Sequence, residues 1–112
     1  HAIETATGYS QWLHGEAVAV GMLMAVHMSV RLGWADAALE PGLAGVLAQW
    51  QLPVTIPPGM TPDQFMDLMA LDKKVQNGRL RLVLLRQLGE AVVTADYDAV
   101  ALRQTLEAFC GT

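Results

Sequence analysis

The sequence predicts a mainly α-helical domain carrying one small β-hairpin. Apolar residues recur at helical spacing in several separate stretches, most of them closed by glycine or proline. One short run, "RLRLVLL" at 79–85, alternates instead and reads as a strand. Hydrophobic residues make up 53% of the 112-residue chain and charged residues 16%. That is enough for the core of one domain and too apolar for a disordered tail.

The elements follow in order. Residues 1–9, "HAIETATGY", read as the end of a helix that stops at Gly8, because glycine is preferred just past a helix end. Residues 10–14 link it to a long helix, Gly15–Leu32, closed by Gly33. Glu16 lies in the first turn, where a carboxylate suits the positive end of the helix dipole. This helix is apolar almost all round, which predicts burial. A second helix spans Pro41–Trp50, with Leu43, Val46, Leu47 and Trp50 on one face. Pro53, Pro57 and Pro58 make residues 52–60 an extended link.

Thr61 and Gln64 form a capping box that opens a third helix, with Pro62 at its first position. Phe65, Leu68 and Met69 supply its buried stripe. Asp72, Lys73 and Lys74 end that helix or lie just beyond it. Asn77-Gly78 is a turn signal before the strand at 79–85. Gly89-Glu90 turns the chain, and Ala91–Thr94 pairs back. Asp98 caps a last helix with Leu102, Leu106 and Phe109 on one face, and Gly111 stops it.

Composition narrows the function. The net charge is −4 and no basic stripe with interleaved aromatics is visible, which argues against nucleic acid. A lone cysteine, Cys110, rules out a disulfide framework and fits a reducing, cytoplasmic compartment. The first residues lack a basic segment followed by an apolar run, so no signal peptide is read there. The uncharged stretch Ala17–Val26 is about half of the roughly 20 residues that a membrane span needs. His27 and Arg31 then close it, so a buried core helix is expected rather than a membrane contact. The chain begins at His1 rather than methionine, and the expectation is the carboxy-terminal piece of a longer protein.

Few side chains carry candidate chemistry. His14 precedes a helix start and is followed by glycine. Its neutral imidazole could bind zinc, with Glu16 orienting it or a neighbouring ligand; the alternative is a histidine capping or packing at a helix end. No HExxH and no CxxC accompanies it. His1 lies thirteen residues earlier, unlike the i, i+4 pairing that puts two ligands on one helix face. Two histidines flanking a helix–link–helix corner could still converge on one pocket. Lys73 and Lys74 either complement a helix dipole or anchor a phosphate or carboxylate. His27, inside the apolar helix, reads as a satisfied structural histidine. The methionines read as core filler, and Cys110 has no charged setting that would activate it. No GxGxxG fingerprint is present.

Taken together, "HAIETATGY", "WLHGEAVAVGM", "LDKKVQNGRLRLVLLRQLGEAVV" and the closing helix resemble 3-dehydroquinate synthases, in the family's order. The resemblance is strong over residues 1–22 and 71–93, and the "HGEAVAVGM" block is its most specific part. It implies a two-domain enzyme whose carboxy-terminal helical metal- and substrate-binding domain is residues 1–112, the amino-terminal NAD-binding domain being absent from this chain. It implies that His14 is one of three zinc ligands, beside another histidine and a glutamate. His1 matches the second histidine of the family's "GHxxGHAIE" segment, which faces the substrate and assists at its phosphate end. Lys73 or Lys74 would contact the anionic substrate, and Glu16 would stand in a supporting shell.

The implied cofactors are NAD and zinc, or cobalt, and the implied assembly is a homodimer. The implied reaction converts 3-deoxy-D-arabino-heptulosonate 7-phosphate, a phosphorylated sugar acid, to 3-dehydroquinate and phosphate. The other zinc histidine would lie four residues before His1, so this piece is expected to be inactive alone. "QLP" at 51–53 stands where a glycine more usually precedes Leu-Pro, a surface-loop change. Another sugar phosphate cyclase, a metal-dependent polyol dehydrogenase and a helical interaction module without chemistry are the competing readings.

Overall fold

A computed structural model describes residues 1–8, 12–71, 75–76, 79–87 and 89–110. Five helices and two short antiparallel ladders follow one another: α1 (Ala2–Ala6), α2 (His14–Arg31), α3 (Leu39–Gln49), α4 (Pro62–Ala70), β1 (Val75–Gln76), β2 (Arg79–Leu80), β3 (Leu82–Gln87), β4 (Glu90–Thr94) and α5 (Ala99–Cys110). The mainly helical architecture expected from the periodicity is present, and β3–β4 is the expected hairpin.

The long helix α2 organises the domain. Along one side Ala17, Val20 and Met28 join Ile3, Met60, Phe65, Leu84, Leu102 and Leu106 in the main core. Along another, Ala19 and Leu23 meet Leu47 of α3 in a smaller cluster, flanked by Leu52, Val54 and Phe109. The helix is not enclosed all round, contrary to what its apolar sequence suggests. Val18 is 43% and Met22 51% exposed. β3, α5, α3 and the short α1 pack on α2, and these two side chains stay exposed between them.

Local chemistry sets the element ends. Thr61 Oγ1 accepts the Gln64 N–H at 3.1 Å and Pro62 follows at the first helical position, as expected for α4. Asp98 Oδ1 accepts the Val100 N–H at 2.8 Å at the start of α5. α3 begins two residues before Pro41, because Asp36 Oδ1 takes the Ala38 N–H at 2.8 Å and starts the turn earlier. A proline in the first turn removes only a donor that would have no helical partner. The link after α3 is not extended throughout: it bends at Val54–Thr55 and turns at Pro58–Gly59, and it contributes to the core through buried Met60 and Pro57.

The alternating run does not form one continuous strand. β2 pairs with β1, the chain changes partner at Arg81, and β3 pairs with β4 from Leu82↔Thr94 to Gln87↔Glu90. The Tyr97 hydroxyl donates to the Leu80 carbonyl at 2.9 Å, tying that break to the approach to α5. Leu84 faces inward at 1% exposure while Val83 and its cross-strand partner Val93 face out. Gly89 turns the hairpin with φ of +84°, the left-handed region that favours glycine. Asn77-Gly78 and Gly111 lie outside the described residues.

Candidate metal and substrate site

The corner between α1 and α2 builds the site. α1 ends at Thr7, whose hydroxyl donates to the carbonyls of Ile3 at 3.0 Å and Glu4 at 3.2 Å. Gly8 then takes φ of +66°. Ile3 is buried in the main core, which fixes the short helix against α2 and α4.

At the other side of the corner, His14 is the first residue of α2. Leu13 caps that helix without a side-chain acceptor. Glu16 compensates in part by accepting the Leu13 N–H on Oε1 at 2.8 Å. Glu16 therefore acts on the backbone that carries His14. The carboxylate on the His14 ring belongs to Glu4, with Oε2 2.9 Å from Nδ1. Glu4 is buried, at 7% exposure, whereas the His14 side chain is 72% exposed. The other ring nitrogen, Nε2, has no hydrogen-bond partner among the described residues. One nitrogen held by a buried carboxylate and the other left open is the donor arrangement of a metal-ligating histidine, so the residue present fits zinc. Among the described residues no three His, Cys, Asp or Glu side chains gather to hold an ion, so His14 would supply one ligand of a set completed elsewhere.

His1 is exposed and stands at the rim of an open groove of about 350 Å³. Ala17, Gly21 and Met22 of α2 line one wall, and Arg81 and Val83 line another. His14 does not line this groove, so the structure brings His14 to Glu4 but does not bring His1 and His14 into one pocket. Lys73 and Lys74 lie outside the described residues. The sequence reading missed Glu4. Its only signal was a carboxylate in "HAIE", a short helix whose other residues are apolar or small.

His27 is the structural histidine expected of it. Arg31 Nε donates to its Nε2 at 2.8 Å, and its Nδ1 lies 2.7 Å from Glu40 Oε2 on α3. Arginine can only donate, so Nε2 is the acceptor and Nδ1 carries the proton toward Glu40. Phe109 of α5 packs edge-on at 5.3 Å between ring centroids. The His27 ring thus joins three helices and is fully engaged. Burial pushes the Cys110 thiol up, and nearby Arg103 only partly offsets this, in keeping with an unactivated cysteine.

A family model described as "3-dehydroquinate synthase C-terminal" matches residues 1–75, from α1 through α2, α3 and α4 to the first residue of β1. The chain belongs to the 3-dehydroquinate synthase family. It is 58% identical over 108 residues to the 3-dehydroquinate synthase of Pseudomonas putida (strain W619), covering 96% of this chain and 30% of that one. It is 54% identical over 110 residues to the chloroplastic 3-dehydroquinate synthase of Solanum lycopersicum, covering 97% of this chain and 25% of that one. The chain thus spans between a quarter and a third of the length of these curated relatives. Among solved structures it is similar to ValA, a 2-epi-5-epi-valiolone synthase from Streptomyces hygroscopicus subsp. jinggangensis 5008 with NAD+ and Zn2+ bound. That likeness has a TM-score of 0.76 and 26% identity, over 91% of this chain and 28% of that one. Among the described residues no helix is long and apolar enough to cross a membrane.

Proposed function

We infer that this chain is the carboxy-terminal, metal- and substrate-binding part of a 3-dehydroquinate synthase, a phosphate-eliminating lyase of the shikimate pathway. The observation that carries the reading is the His14–Glu4 pair across the corner between α1 and α2, within the residues that the family model matches. The full protein would convert 3-deoxy-D-arabino-heptulosonate 7-phosphate to 3-dehydroquinate and phosphate. It would do so by transient oxidation with bound NAD, phosphate elimination, reduction and intramolecular aldol closure, with no net change of the cofactor. Zinc, or cobalt, would serve as a Lewis acid at the hydroxyl that is oxidised.

The residues of this chain have separate tasks. His14 offers Nε2 to the metal, and Glu16 secures the helix start beneath it. His1, exposed at the groove, would assist at the phosphate end of the substrate. Lys73 or Lys74 would offer a cation to the same anion as charge develops on it. The remaining metal ligands and the nucleotide-binding domain would come from the amino-terminal part of the same protein, so the chain alone is inactive on this reading. We expect a homodimer in the cytoplasm; the tomato relative is named chloroplastic.

The structural likeness to a valiolone synthase supports one second reading, another sugar phosphate cyclase. The identity of 54–58% to 3-dehydroquinate synthases weighs against it. The test is phosphate release from 3-deoxy-D-arabino-heptulosonate 7-phosphate by the full-length protein, with NAD and zinc, beside His14→Ala. Rapid release by the parent and near-total loss in the variant support both the synthase and the ligand role. No release by a folded, metal-loaded parent moves the assignment to the other cyclase. Equal release by both discards His14 as a ligand.

A further inference from the structure

Glu4 is a carboxylate buried on a helix of five residues, where little water can solvate its charge. Ile3 beside it is packed in the core and the Thr7 hydroxyl donates to its carbonyl, which fixes the backbone that carries it. The Oε2 atom lies 2.9 Å from Nδ1 of His14, ten residues along the chain. An ionised carboxylate offers only acceptors, so this bond requires the proton on Nδ1. Nε2 is then a bare lone pair. Glu16, the nearer acid in sequence, is committed to the Leu13 N–H.

We propose that Glu4 is the positioning residue for the metal-bearing nitrogen of His14, holding the ring in the Nδ1–H form and aiming Nε2 at the ion. This rests on the reading of His14 as a metal ligand. The negative charge also makes the imidazole a stronger donor to a cation. Partners of this kind are worth 10–100-fold in metal affinity when lost.

The test uses the full-length protein and reads zinc affinity by chelator competition, with the visible absorption of the cobalt-loaded form as a second signal. Glu4→Ala, Glu4→Gln and His14→Ala are compared with the parent, after thermal melts establish that each is folded. Glu4→Ala is expected to weaken zinc 10–100-fold and to move the cobalt bands, since the ring loses its orientation. Glu4→Gln should weaken it less, but by at least about threefold, because an amide carbonyl still accepts the Nδ1 proton without the charge. Unchanged affinity and unchanged cobalt bands in Glu4→Ala, with zinc lost in His14→Ala, overturn the proposal and leave the ligand reading intact. Unchanged affinity in His14→Ala overturns the ligand reading itself, and this proposal with it. Should Glu4→Ala not fold, the near-isosteric Glu4→Gln decides: unchanged zinc affinity there overturns the proposal.

Discussion

Replacing Ser29 by alanine should detach the hairpin from the central helix. Ser29 is fully buried on α2, and its hydroxyl does two things. It donates to the Ala25 carbonyl at 2.7 Å, and it accepts the Leu85 N–H of β3 at 2.9 Å. The Ala25 carbonyl keeps its helical partner, the N–H of residue 29, so nothing is orphaned within α2. The Leu85 N–H has no such reserve. Beside it the ladder slips register, between Leu85 and Gln87, and with Ser29 wholly inaccessible water has no easy entry. An unsatisfied buried donor costs about 1–3 kcal/mol. Alanine returns up to about 0.5 kcal/mol of helix propensity at an interior position. The net loss should be about 1–2 kcal/mol.

Denaturant unfolding gives the total, and hydrogen exchange over residues 82–94 gives its location. Faster exchange in the hairpin, with α3 and α4 unaffected, is the expected pattern. A variant within about 0.3 kcal/mol of the parent, with unchanged exchange at Leu85, would refute the claim that this one hydroxyl docks the strand.

Other expectations are as direct. Gln51 holds φ of +59°, where a side chain is strained, so Gln51→Gly should raise stability or leave it level despite glycine's entropy cost, with a gain of at most about 1 kcal/mol. A clear loss in a thermal melt would mean that the left-handed turn is not strained. His27→Ala should cost about 1–3 kcal/mol by leaving Glu40 and Arg31 without their shared partner, while zinc affinity of the full-length protein stays put. Loss of zinc there would give His27 a role beyond packing. Cys110, whose thiol is pushed up by burial, should alkylate more slowly than a free cysteine at pH 8 and faster on unfolding. Because the folded state favours the protonated thiol, its contribution to stability is full below the ordinary thiol range. That contribution declines as pH rises through it.

The helices were legible because each rests on short-range chemistry. Thr61 and Asp98 cap from within their own turn, and the stripes of α4 and α5 repeat every three or four residues. The partner change at Arg81 was not legible. Arg79–Leu80 and Leu82–Gln87 share one alternation, and only the sites of pairing separate them. Exposure of α2 on one side was hidden for a related reason. Apolar composition reports what a helix tolerates, and the covering elements decide which of its faces are buried. Gln51 shows the converse: the departure from glycine was visible in the sequence, but its physical meaning came only from the backbone angle.

The site divides along the same line. His14 could be found because it sits in a compact block with a glycine, a glutamate and an apolar helix behind it. Glu16, two residues away, looked like support for it or for a neighbouring ligand, and its Oε1 is on the Leu13 N–H rather than on the ring. At the first turn of a helix, side chains two apart point away from each other, and an acid at this position reaches back to the backbone of the cap. Support for the ring had to come from another element, and α1 supplies it across the corner through Glu4. His1, which shares α1's start, faces the groove instead. The five residues "HAIET" therefore serve two surfaces. On the proposed roles one end would meet the substrate and the other would hold the ligand, with Ile3, packed in the core, between them.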